Sequence, residues 1–117
     1  MSNRVIHCVL DFFAKPGSEE KVRTILLSVL ERARKEDGCL KHKLFQNMAD
    51  PCQFTFIGAW ESEDALEDHL TSDQYRKADS DIKKDVTRPM DQKRYKYIQN
   101  DPSLVPDTKA SGFCTLI

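Results

Sequence analysis

Residues 4–13 (RVIHCVLDFF) constrain the fold most, because a two-residue period makes them apolar on both sides. Val5, His7, Val9, Asp11 and Phe13 face one way, and Ile6, Cys8, Leu10 and Phe12 face the other. A strand built like this needs a cover on each face. Lys15-Pro16-Gly17-Ser18 then breaks it, with Ser18 set to cap a helix whose first turn holds Glu19 and Glu20, where acids suit the helix dipole. Val22, Ile25, Leu26, Val29, Leu30 and Ala33 follow at the spacing of a helix lying on a core, and Asp37-Gly38 supplies the stop.

A second strand is predicted from Cys39 to Gln46, with His42 and the Lys41/Lys43 pair on an exposed face, and a polar turn over Asn47 to Pro51. Cys52 to Trp60 reads as a third strand, with Phe54, Phe56, Gly58 and Trp60 on one face and Thr55, Ile57 and Ala59 on the other. Ser62 caps the next helix, whose inward stripe runs Ala65, Leu66, His69, Leu70. After Thr71-Ser72-Asp73 the helical pattern restarts or continues through Tyr75, Ala78 and Ile82 until Arg88-Pro89 interrupts it, and Lys93 to Gln99 alternates as a fourth strand.

The order β-α-β-β-α-β predicts an α+β, ferredoxin-like split βαβ fold: one four-stranded antiparallel sheet with its helices on a single face. One sheet face is left bare. With strand one apolar on both sides and strand three carrying Phe54, Phe56 and Trp60, the expected cover is a second copy, giving a homodimer through the sheet faces. At 117 residues there is length for one core, so residues 1–100 read as one domain and residues 101–117 as a C-terminal tail.

Charge and cysteine content narrow the partners. Lys and Arg number 18 against 19 acids, a balance that gives no reason to expect nucleic acid. Nothing near Met1 resembles a signal peptide and no run is long and apolar enough to span a bilayer, so the chain reads as cytoplasmic. Cys8, Cys39, Cys52 and Cys114 show no paired-ligand spacing, so no metal site is expected, and the first three read as small buried hydrophobes. The ending Cys114-Thr115-Leu116-Ile117 has the outline of a prenylation signal, but Thr115 and Ile117 fit it poorly and Lys109 stands alone. A membrane would be a partner only if Cys114 were lipidated. The alternative is a tail that buries Phe113, Leu116 and Ile117 against a partner subunit.

Lys15-Pro16-Gly17, Glu36-Asp37-Gly38-Cys39 and the block from Trp60-Glu61-Ser62 through Leu66-Glu67-Asp68-His69-Leu70 resemble the antibiotic biosynthesis monooxygenase domain of the dimeric α/β-barrel superfamily, over about Arg4 to Asn100. Members that look alike here include quinol monooxygenases, polyketide-tailoring oxygenases, a sugar-phosphate isomerase and haem-degrading enzymes. The resemblance places Asp79 at the haem-ligand position and His69 where the haem-degrading members carry a helix Trp, and a carboxylate there disfavours haem. Many members also have a Glu two residues before the strand-three Trp. This chain has Gly58, which leaves room for a ligand to approach the backbone.

The members that oxidise quinols or anthrones use neither metal nor flavin, because a deprotonated dihydroxyaromatic can itself reduce oxygen. The resemblance therefore implies a cofactor-independent monooxygenase whose partners are a small quinol-like or polyphenolic aromatic compound and molecular oxygen. The protein need only bind the substrate, take a proton and shield the intermediate. A His among apolar residues stays neutral and ready to accept that proton, which makes His69 the candidate catalytic base. Trp60, Phe54 and Phe56 are candidate walls of a pocket between the sheet and the second helix, with His7, Asp11 and Tyr75 as its polar groups. Core packing is the competing role for Trp60 and Tyr75, and a satisfied polar pair for His7 and Asp11. Two rival functions remain: a non-catalytic dimeric ligand-binding or stress-response domain, and an isomerase of a phosphorylated sugar using Arg88 or Arg94.

Overall fold

The first strand, β1 (Ile6–Phe13), lies inside the sheet. The structure is a computed structural model that describes residues 4–98. β1 is paired antiparallel on one side with β3 (Gln53–Trp60) and on the other with β4 (Asp91–Tyr95). β2 (Cys39–Gln46) joins the far side of β3, giving the order β2-β3-β1-β4. Three helices connect them: α1 (Glu19–Ala33), α2 (Glu63–Leu70) and α3 (Asp73–Ile82), the last followed by a 3-10 turn over Lys83–Asp85. This is the ferredoxin-like α+β arrangement expected from the element order. β4 starts two residues earlier than the alternation around Tyr95 and Tyr97 indicates, because its ladder with β1 runs from Asp11↔Asp91 to His7↔Tyr95.

Register decides what each face carries. Ile6↔Trp60, Cys8↔Gly58, Leu10↔Phe56 and Phe12↔Phe54 are cross-strand partners, so the aromatic face of β3 and the Cys8/Leu10/Phe12 face of β1 are one surface. Val22, Leu26, Val29, Leu30 and Ala33 of α1, Leu66 of α2, and Tyr75 and Ile82 of α3 are buried in the same core. Phe54, Phe56 and Trp60 therefore meet the protein's own helices, and the expectation that they call for a second copy is corrected. The bare face carries the other set, with Ile57 44% and Phe45 48% exposed.

Local chemistry explains where the helices begin and end. Ser18 does not cap α1; its hydroxyl donates to Asp85 Oδ1 at 3.0 Å, tying the helix start to the 3-10 turn. Ser62 does cap α2, its Oγ accepting from Ala65 N at 3.1 Å. The pattern restarts at Ser72, whose Oγ accepts from Tyr75 N and donates to the carbonyl of His69, so one serine ends α2 and starts α3. Cys8 is buried; Cys39 and Cys52 are only half-buried, and Cys52 Sγ donates to Glu19 Oε2 at 3.6 Å. Among the described residues no helix is long and apolar enough to cross a membrane. The expectations for the C-terminal tail, including Cys114, lie outside the described residues.

α2 is held from two sides. Leu66 is fully buried beneath it, while Arg94 of β4 reaches Glu67 Oε2 at 2.7 Å and Glu63 Oε2 at 3.6 Å from the rim. Burial outweighs a part-exposed ion pair. Leu66→Ala is expected to cost about 2–5 kcal/mol in urea unfolding, whereas Arg94→Ala costs no more than about 1 kcal/mol.

Candidate active site

Two glycines let this site close. Gly38, after α1, adopts φ +87°, a conformation that favours glycine, and a Cβ there would stand 2.6 Å from Ala65 Cβ on α2. The turn at Glu36–Cys39 therefore packs directly against α2. That approach delivers Glu36 to His69 in the helix's last turn: Nδ1 lies 3.1 Å from Oε1 and 3.3 Å from Oε2. Gly58 is the second case, since a Cβ on it would collide with His42 Nδ1. The room left by the missing side chain is filled by the His42 ring.

A row of rings results. His42 stacks on Phe56 with centroids 4.7 Å apart and planes 15° from parallel, and its edge meets Trp60 and His69. Trp60 stacks on His69 at 4.7 Å and 24°, and Tyr75 closes the row edge-on to His69 at 5.2 Å. All are buried. His69 Nε2, both nitrogens of His42, Trp60 Nε1 and the Tyr75 hydroxyl find no hydrogen-bond partner among the described residues. Five orphaned polar atoms in one cluster are a departure from the rule that buried polar groups are paired.

The charge states follow from burial. Desolvation pushes His69 down; the Glu36 carboxylate pulls it back part of the way, and burial prevails. His69 is then neutral near pH 7, with its one proton on Nδ1, donated to Glu36, and a free lone pair on Nε2. Burial, with smaller effects from His69 and Arg34, takes His42 down to about 3. The Tyr75 hydroxyl is pushed upward, chiefly by burial and next by Asp79, and burial also takes the Cys8 thiol up to about 11. The cluster is uncharged apart from the Glu36 carboxylate at its edge.

Of the residues singled out from the sequence, His69, Trp60, Phe56 and Tyr75 come together here, and Phe54 lies in the same core near Phe12. His7 and Asp11 do not join them. Both sit on the bare sheet face, where Asp11 accepts from Thr55 Oγ1 and Gln53 Nε2, and His7 lies 6.1 Å from the Tyr97 ring. His42 is 2% exposed, correcting the exposed position expected for it. A bulge between Cys39 and Lys41 leaves Leu40 41% exposed, and the pairing His42↔Gly58 sets His42 on the covered face. Glu36 and His42 are the members that sequence reasoning missed. Only the Gly38 and Gly58 contacts bring them in, and both are tertiary.

Two spaces among the described residues bear on the ring cluster: one touches it, and the other is separated from it by Phe12, whose ring meets Phe56 edge-on. A recess of about 20 Å³, enough for a water molecule, is bounded by Glu36, His69, Ser72 and Tyr75 and by Arg32 of α1. A larger cleft of about 430 Å³ opens at the far end of α3, floored by Phe12, Ile82, Val86 and Met90 and rimmed by Asp79, Lys83 and Arg88. Asp79 stands one helical turn beyond Tyr75, so α3 links the cleft to the rings. Between the sheet and α2, where the pocket is expected from the sequence, the buried Trp60 and His69 rings stack on each other, which corrects that expectation.

A ferredoxin-like sheet with a buried imidazole held by a carboxylate against a strand-three indole defines a small α+β protein with its polar groups collected between sheet and helices. The chain belongs to the antibiotic biosynthesis monooxygenase family, whose model matches residues 5–80. No curated protein matches the chain by sequence. Among solved structures, a Mycobacterium tuberculosis protein superposes with a TM-score of 0.76 at 20% identity, covering 82% of this chain and 97% of its own. A conserved protein from Methanosarcina mazei gives 0.75 at 21%, with 80% and 93% covered. A structure described as an antibiotic biosynthesis monooxygenase gives 0.76 at 22%, with 80% and 99% covered. At such identities the likeness is one of fold.

A depressed histidine makes stability depend on pH in a fixed direction. In the unfolded chain His42 takes a proton below its ordinary value near 6.5, while in the folded protein it stays neutral down to about 3. Between those values the unfolded state binds more protons, so folding stability is complete above about pH 6.5 and falls as the pH is lowered. Urea midpoints measured from pH 7 to pH 4 are expected to drop for the native chain, with a shallower drop for His42→Phe.

Proposed function

We propose that this protein is a cofactor-independent monooxygenase of a small quinol-like or polyphenolic aromatic compound, with His69 as the proton acceptor. One observation carries the reading: Glu36 holds Nδ1 of His69, and Nε2 is buried and without a partner among the described residues. That is the state a general base needs. A quinol hydroxyl would give its proton to Nε2. The resulting anion supplies the electrons that reduce dioxygen; one oxygen atom enters the ring and the other leaves as water, so quinol and oxygen give a hydroxylated quinone and water. Glu36 stabilises the imidazolium formed in between, and the recess beside it offers the proton a way to solvent. Because the rings around Nε2 are packed, the substrate approaches along α3 from the 430 Å³ cleft and displaces Tyr75 from the face of the cluster.

The rival readings meet the same geometry differently. Of the two arginines a phosphorylated-sugar isomerase would draw on, Arg94 is engaged by Glu63 and Glu67, and Arg88 lines a cleft whose walls do not include His69. A pure binding domain would have no use for an imidazole oriented by a carboxylate. Oxygen uptake by the purified protein against a panel of hydroquinones separates the readings. Catalysed uptake is expected, falling by about 10²-fold or more in His69→Ala and by about tenfold or more in Glu36→Gln, which leaves the base unoriented. No uptake above the uncatalysed rate with any member of the panel would sink the oxygenase reading.

We also propose that a second copy covers the bare sheet face, since Phe45, Ile57 and Tyr95 are each between 44% and 50% exposed across three strands of it. Light scattering after size exclusion is expected to give twice the monomer mass for the native chain. Ile57→Glu should shift it to the monomer.

A further inference from the structure

We propose that the cleft at the end of α3 is an anion-selecting site, and that the substrate is an aromatic compound carrying one carboxylate, held by Lys83 and Arg88; this rests on the oxygenase reading. The cleft's volume of about 430 Å³ lies within the range of small-molecule pockets. Its floor is apolar: Phe12 and Ile82 are buried in the core, and Val86 and Met90 pack against that core from the loop that leads to β4. Such a floor takes a flat hydrocarbon ring. Its rim is charged, and the charge is unbalanced.

Lys83 and Arg88 both line the rim, and neither makes an ion pair among the described residues. Two nearby lysines are paired instead, Lys77 with Asp81 and Lys21 with Asp85. The Arg88 guanidinium rests over the ring of Phe13, the last residue of β1, 3.7 Å from its centroid, and makes no hydrogen bond among the described residues. Asp79 is the one carboxylate among the described residues of the same rim. Two cations against one carboxylate leave a single net positive charge, which a monoanion balances and a dianionic phosphate exceeds. Asp79 also disfavours an anion lying toward Tyr75, so the ligand's carboxylate is directed to the Lys83/Arg88 end and its ring toward the buried cluster. A planar carboxylate matches the fork of an arginine, which can bind it through two parallel hydrogen bonds.

Binding is tested apart from turnover, by titration calorimetry under anaerobic conditions with hydroquinone, dihydroxybenzoate and a hydroquinone phosphate monoester. Dihydroxybenzoate is expected to bind at least about tenfold more tightly than hydroquinone, and the preference should shrink in high salt. Arg88→Gln and Lys83→Gln should each remove most of the preference. Arg88→Lys should retain part of it, and Lys84→Gln, the same charge change one residue away from the rim, should leave it whole. Equal affinity for the three compounds, tighter binding of the phosphate ester, or a preference that survives in the Arg88→Gln/Lys83→Gln double variant would overturn the proposal. Oxygen uptake run on the same samples keeps the two readings distinct: a carboxylate preference without uptake retains the anion site and removes the oxygenase, and uptake without the preference does the reverse.

Discussion

Trp60 stacked on His69 is the contact through which the sheet and the helices define one another. The indole comes from the last residue of β3 and the imidazole from the last turn of α2, so their parallel packing at 4.7 Å fixes how far α2 lies from the sheet. Each flank of that stack is set by a glycine. Gly38 admits the turn that brings Glu36 to one edge of His69, and Gly58 admits the His42 ring at the other. A methyl group at either position would collide with a ring or with α2. The local geometry of the site is thus settled by side chains that are missing as much as by those present.

The ring cluster is costly as packing alone. A burial site for aromatic groups is served as well by Phe or Leu, which leave no polar atom unpaired; imidazoles there must shed their water and gain little in return. His42 shows the size of that penalty, since burial holds it neutral down to about pH 3. A core that spends stability in this way has the pattern of a functional site, where local rules are broken and the loss is made up elsewhere. Here the surrounding core of Leu10, Leu26, Phe54, Leu66 and Ile82 makes it up.

Period and punctuation made the fold legible. The double-sided apolar run at Ile6–Phe13, the single-sided helix of Glu19–Ala33 and the serine at residue 62 each have a local cause, and each stands where the residues put it. Within the site, His69 and Tyr75 were readable because both lie on helical stripes that must face inward. Glu36 and His42 were not, for physical reasons. Glu36 lies past the end of α1, in a turn whose path depends on contact with α2, and a carboxylate in a turn has no periodicity to mark it. His42 shares the covered face with Leu44 through its pairing with Gly58, but it stands between Lys41 and Lys43, and a polar run of that kind carries no mark of a buried strand face. His7 and Asp11 illustrate the converse: a polar pair on an apolar strand draws attention, yet the two-residue period sends it to the sheet face opposite His69.

Separation of charge from the base follows from the same layout. A substrate carboxylate close to His69 would stabilise the imidazolium, raise the affinity of Nε2 for a proton and so remove the lone pair before the quinol could use it. The cations rimming the cleft lie at and beyond the C-terminal end of α3, whereas the contact with His69 is made by Tyr75 in its first turn. From Tyr75 to Lys83 the helical rise amounts to about 12 Å, shortened by the backward tilt of the lysine side chain. In the proposed reaction, a ring with its acid at one end and its hydroxyl at the other would span the remaining distance, keeping the binding charge in the wet rim and the proton transfer in the dry cluster.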